Sequence, residues 1–144
     1  MSTSAPRGNL SALVAATATA LGATIEAASP TGARLRVPLD DGRAQTVHVT
    51  LEDDTLRFTT RCGEALLARD NPSLHRILLA KNATLRHGFF ALAADGAVEL
   101  QHTQLLATCD LEEFATALAN LATVGDFLER ELAKGAPGGE LDLY

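Results

Sequence analysis

KNATLRHGFFALAADGAVELQHTQLL, residues 81–106, places two strand-like runs around a single turn, with helical signals on either side. In the first run Phe89, Ala91 and Ala93 alternate with Phe90, Leu92 and Ala94, so both faces are apolar and periodicity selects neither for burial. After the turn Val98 and Leu100, with His102 next in phase, share one face, while Glu99 and Gln101 share the other. That is the pattern of a half-solvated strand. Asp95-Gly96 between the runs reads as a two-residue type I′ connection, which needs φ > 0 twice and which Asp-Gly tolerates. The stretch is the hinge of a small α+β domain.

Immediately upstream, Asn71-Pro72 reads as an N-cap followed by proline at the first helical position, where the missing N–H costs nothing. A helix with the stripe Leu74, Ile77 and Leu78 follows and ends near Asn82. Further back, Ser29-Pro30-Thr31-Gly32, Asp40-Asp41-Gly42 and Asp53-Asp54 are turn signals that divide the chain into an antiparallel meander. Leu35, Val37 and Leu39 alternate with Arg34, Arg36 and Pro38. Val47, Val49 and Leu51 do so with His48 and Thr50, and Leu56 and Phe58 with Arg57 and Thr59. The run from Ala23 to Ala28 is a candidate for one short extra strand. At the start, Leu10, Leu13, Val14 and Leu21 recur at helical spacing over residues 10–21 and Gly22 is a natural stop.

Downstream, Asp110 followed by Glu113 has the form of a capping box, and Glu112 and Glu113 suit the positive end of a helix dipole. Leu111, Phe114, Leu118, Leu121, Leu128 and Leu132 give the longest amphipathic pattern in the chain. Gly125 is its weak point, and Glu112, Asn120, Asp126 and Glu129 are expected in solvent. Residues 1–8 read as a flexible arm, residues 9–134 as one domain, and residues 135–144 as a flexible tail ending in Leu141, Leu143 and Tyr144.

The 144 residues are enough for one domain with a proper core. A net charge of -6 and only two lysines, Lys81 and Lys134, argue against a phosphate-binding surface and hence against nucleic acid. The most apolar N-terminal stretch, Leu10 to Leu21, is interrupted by Ser and Thr and is short of the roughly 18 residues of a membrane span, so no membrane partner is expected. Cys62 and Cys109 lack CxxC spacing and read as two reduced thiols, which fits a cytoplasmic protein.

No catalytic constellation emerges. His48, His75, His87 and His102 share no HxH or HxxxH spacing, and the paired aspartates fall where hairpin turns are expected rather than in a calcium loop. There is no GxSxG, P-loop or GxGxxG. The expectation is no metal, no cofactor and no enzyme activity.

The order of helix, three or four strands, helix, two strands and helix resembles the small acidic class I chaperones of bacterial type III secretion, the CesT and Tir-chaperone type, whose order is α-β-β-β-α-β-β-α. The YbjN-type domains are similar in fold. The likeness is carried by LHRILLAKNATLRHGFFALAADGAVELQHTQLLATCDLEEFATALANL. There a helix ends in an Asn-containing step, a Gly-Phe-Phe-Ala-Leu strand meets Asp-Gly, and a second strand leads into a Leu-Glu-Glu-Phe helix. The resemblance covers residues 71–133 and reaches the first half only by element order. It implies an antiparallel sheet packed on helices and a homodimer that holds an extended segment of a protein partner, such as a secreted effector.

The alternatives that remain are a YbjN-type regulatory or stress-linked module, and a small-ligand-binding domain or enzyme. With no Trp and one Tyr, apolar anchor patches must come from Phe or aliphatic residues. For the dimer interface the expected residues are Leu74, Ile77, Leu78, Phe90, Leu92, Val98 and Leu100, because a strand apolar on both faces beside a short apolar helix leaves one face needing cover. For partner binding they are Leu13, Leu35, Val37, Val47 and Val49, on the first helix and the half-solvated strands.

Overall fold

A computed structural model describes residues 8–63 and 71–134. The expected arm, Gly8 apart, and the expected tail lie outside the described residues. Helix α1 (Leu10–Leu21) is followed by strands β1 (Thr24–Ser29), β2 (Gly32–Pro38), β3 (Ala44–Glu52) and β4 (Thr55–Arg61). Then come α2 (Pro72–Asn82), β5 (Phe89–Leu92), β6 (Val98–Leu105) and α3 (Leu111–Ala133). The six strands form one sheet in the order β1-β2-β3-β4-β6-β5, antiparallel at every pairing. This is the α+β architecture expected from the sequence, with the candidate extra strand present as β1.

Local chemistry sets the ends of the helices. Asn9 Oδ1 accepts from the Ala12 N–H at 3.0 Å, and Gly22 closes α1 in the left-handed region at φ 67°. Asn71 Oδ1 accepts from the Leu74 N–H at 3.1 Å, with Pro72 just inside α2. At α3 the capping box is complete: Asp110 Oδ1 accepts from the Glu113 N–H at 2.8 Å, and Glu113 Oε1 accepts from the Asp110 N–H at 3.3 Å. Asp110→Ala removes one arm of this box and is expected to cost about 1 kcal/mol. An unchanged denaturation midpoint would contradict that role.

The turn at Asp95-Gly96 is not the two-residue type I′ form. Ala93 and Ala97 are joined by the Ala93 N–H to Ala97 O bond of 2.8 Å, and Gly96 N–H donates to Ala93 O at 2.9 Å, so the loop holds three residues. Of these, only Gly96 has positive φ, at 90°. This is the turn-plus-bulge alternative, in which a single left-handed residue suffices and glycine supplies it. Asp95 keeps an ordinary φ and uses its carboxylate instead to accept from the Ala97 N–H at 3.0 Å.

The core lies between one face of the sheet and helices α1 and α3. Leu35, Val37, Val47, Val49, Leu56, Phe58 and Leu100 project into it from the strands, and Leu13, Phe114, Leu118, Leu121 and Leu128 meet them from the helices. Phe114 packs edge-on against Phe58 with ring centroids 5.0 Å apart. Near its C-terminal half α3 comes so close to β3 and β4 that a Cβ on Gly125 would sit 2.7 Å from Thr60 Cγ2. Gly125 is therefore a close-approach residue, not a weak point.

Beside it, Asp126 is buried rather than solvated. It pairs with Arg43 from the β2–β3 turn at 3.2 Å and with Arg130 one helical turn on at 3.0 Å. A buried carboxylate is retained where cations compensate its lost hydration. Beneath Gly125, the buried Gln45 donates to Thr60 Oγ1 and to Arg61 O, both at 2.9 Å.

Cys62 and Cys109 are both buried and free. Burial raises the Cys62 thiol far above its usual range, and burial with the nearby Glu113 and Asp110 carboxylates pushes Cys109 up to about 11. Little thiolate exists at pH 8, so labelling is expected to be negligible in the folded chain and to reach two thiols after denaturation without reductant. One or no thiol in freshly purified, denatured protein would contradict this.

Candidate functional site: two sheet edges and an apolar groove

Antiparallel sheets end in strands with unpaired backbone groups, and how a protein treats those edges shows where it expects company. At one end lies β1. All six of its residues are exposed, and Ile25 keeps 41% of its surface in water. A register irregularity between Ile25 and Ala27 is its only break, and the Arg34–Glu26 pair at 3.5 Å is an exposed contact across β1 and β2. No described strand pairs with the outer edge of β1.

At the other end, β5 is partly closed by the last residue of α2. The Asn82 carboxamide accepts from the Phe90 N–H at 2.6 Å and donates to Phe90 O at 3.1 Å, filling the place a neighbouring strand would take. The asparagine of the helix-ending step thus fixes α2 to the strand. By the period-two alternation of a strand, Leu92 turns its N–H and C=O to the same outer side. No bond among the described residues occupies them.

Next to that edge an apolar groove runs between α2 and β5, lined by His75, Leu78, Leu79, Phe90, Ala91 and Leu92. Leu79 is 69% exposed and Leu92 52%. Leucines left this open are the kind of clustered apolar surface that usually meets a partner.

The expected interface residues divide unevenly over this geometry. Leu92 is at the surface and Ile77 is half-buried, whereas Leu74, Leu78, Phe90, Val98 and Leu100 belong to the chain's own core. The helix stripe turned inward to cover its own sheet. What faces out is Leu79, an apolar residue off the Leu74–Ile77–Leu78 stripe, and that displacement was the available signal. The residues expected to bind a partner, Leu13, Leu35, Val37, Val47 and Val49, are all buried between the sheet and the helices. They are corrected to core positions, because the face of the sheet they occupy is the one α1 and α3 cover.

The histidines do not converge on a metal. Among the described residues no group of three or more His, Cys, Asp or Glu side chains is placed to hold one. His87 and His102 share a polar cleft with Gln104 and Glu113, but Glu113 is engaged by the Asp110 cap and by Gln104 Nε2 at 3.0 Å. Burial lowers the pKa of His102, whose ring lies 5.6 Å from that of Phe58. Among the described residues no helix is long and apolar enough to cross a membrane.

A mixed helix-and-sheet domain with one bare sheet edge and an apolar groove at the other is laid out as a protein-binding module. The family model for the Tir chaperone protein (CesT) family matches residues 13–124, and the chain belongs to that family. Of the two resemblances in the sequence, this is the secretion-chaperone one.

Among the solved structures that share the fold are two complexes. A chain of the ExsC–ExsE complex is 22% identical with a TM-score of 0.61, over 83% of this chain and 90% of that one. A chain of the complex between the Yersinia pestis type III secretion chaperone SycH and a stable fragment of YscM2 is 24% identical with a TM-score of 0.52, over 77% of this chain and 92% of that one. No curated protein matches the sequence.

Proposed function

We propose that the chain is a cytoplasmic, non-catalytic chaperone that works as a homodimer and holds an extended segment of a secreted or regulatory protein along β1. The observation that carries this reading is β1 itself, an edge strand exposed at all six positions in a member of a chaperone family. An extended chain added there gains main-chain hydrogen bonds from the edge, and alternate side chains find apolar contacts such as Ile25. The two solved structures described above are complexes with another protein, which supports a polypeptide partner.

The second element of the proposal is the dimer, formed around the twofold contact of Leu79 and Leu92. These side chains supply the apolar centre that an isologous interface needs, and Ile77 flanks it.

Calorimetric titration with the N-terminal segment of a candidate secreted protein tests the first element. Ile25→Glu is expected to weaken binding about tenfold or more, in keeping with the loss of much of one buried aliphatic side chain. Thermal unfolding should barely move, because Ile25 is outside the core. Unchanged affinity would remove β1 from the binding site.

A further inference from the structure

The two sides of β1 offer a neighbouring strand different chemistry. Residues paired across strands point the same way, so Ile25, opposite Leu35, belongs to the face that the helices cover, whereas Thr24, opposite Arg36, and Ala27, opposite Arg34, belong to the other face. On that other face Arg34, Arg36 and His48 are all exposed.

The irregularity after Ile25 sets Glu26 beside Arg34 at 3.5 Å, so an arginine of β2 already reaches across to β1. Arg36 has no such partner. No hydrogen bond or ion pair among the described residues engages it, and its neighbour on β1 is only the short Thr24 side chain. In a chain of net charge -6, the strip beside β1 therefore holds two arginines against one glutamate, with one cation uncommitted.

We propose that the segment held along β1 carries an acidic side chain opposite Thr24, where Arg36 pairs with it over the threonine, and apolar side chains at the alternate positions beside Ile25. This rests on the edge pairing proposed above and specifies the chemistry of the segment that pairs. Two strand spacings, about 10 Å, separate Arg36 from the backbone of an added strand, a gap that an arginine and a carboxylate side chain close by leaning toward each other. At the Arg34 end the place is taken. Glu26 occupies that arginine and repels a second acid, so the segment is read by one acid in register rather than by a run of them.

The test titrates the full chain with short synthetic peptides in which Val alternates with Ser and the central Ser is replaced by Glu, Gln or Lys. Binding is read from the backbone amide resonances of residues 24–29 and the Arg36 side-chain Nε–H. About 0.1 M salt gives a Debye length of about 10 Å, which screens the net charge of the chain and leaves the close pair. The Glu peptide should bind about threefold tighter than the Gln peptide and about tenfold tighter than the Lys peptide. Arg36→Gln should level the three, and Arg36→Glu should put Lys ahead of Glu. Arg57→Gln, which removes the same charge from the same face three strands away from β1, should leave the order intact. Equal affinities of the three peptides at residues 24–29, or an equal levelling by Arg57→Gln, would overturn the acid preference and leave the edge pairing standing. A thymidine oligonucleotide that shifts Arg36 as tightly as the Glu peptide would make the arginine a phosphate site and overturn it too. Resonances of residues 24–29 that answer to none of the peptides at millimolar concentration would sink the edge pairing and the preference together.

Discussion

Phe114→Ala is expected to lower stability by about 3–5 kcal/mol, read as a large drop in the urea midpoint with the slope unchanged. Phe114 is fully buried in the first turn of α3, and its ring meets Phe58 edge-on in the middle of the sheet. Removing it leaves a cavity that β4 cannot close, since β4 is held on both sides by β3 and β6. A domain of this size has about 5–15 kcal/mol in total, so the variant stands near the limit of folding. Phe114→Leu, which keeps most of the volume, should fall between the two. A loss under about 1 kcal/mol for the alanine variant would mean that α3 is not the helix that closes the core.

Leu79→Asp and Leu92→Asp are each expected to convert a dimer of twice the 15.1 kDa chain mass into a monomer at micromolar concentration, with far-UV circular dichroism unchanged. Full burial of a leucine stabilises by about 1.5–3 kcal/mol, and a twofold contact counts every substitution twice. The dimer should weaken by at least about 3 kcal/mol, more than a hundredfold in its dissociation constant. Ile77→Asp, at a half-buried position packed against the core, should lose folding stability as well. It is therefore the poorer probe. Sedimentation of the unmodified chain at 15.1 kDa would contradict the dimer outright.

The elements most legible in the sequence were those whose ends are fixed by their own side chains. Asn71-Pro72, Asp110 with Glu113, and Gly22 each carry their capping chemistry locally, and α1, α2 and α3 begin or end where those residues stand. β1 gave a faint signal for a physical reason. With every residue exposed, it has no buried face to impose an apolar alternation.

Asp126 and Gly125 read as surface charge and weak point because their reasons are tertiary. Arg43 comes from a turn 83 residues away, and Thr60 from a strand that sets the approach distance of α3. The expected interface residues divide on a related ground, Leu74, Leu78, Phe90, Val98 and Leu100 lying in the core and Leu92 at the surface. Periodicity identifies apolar stripes, but only the packed sheet decides whether a stripe covers its own strand or a neighbour's. Leu74 and Leu78 went in, and Leu79 stayed out. Asn82 belongs in the same group, because the value of its carboxamide lies in Phe90, which joins it only once the hairpin forms.

Amide hydrogen exchange across residues 24–29, free and with a partner segment bound, tests the central claim most directly. In the free chain the outward-facing amides of β1 should exchange rapidly, since no described strand pairs with that edge. Addition of an extended segment to the edge should slow them at least about tenfold, while amides of β3, in the middle of the sheet, change little. Binding that leaves residues 24–29 unprotected and protects another surface instead would contradict the account.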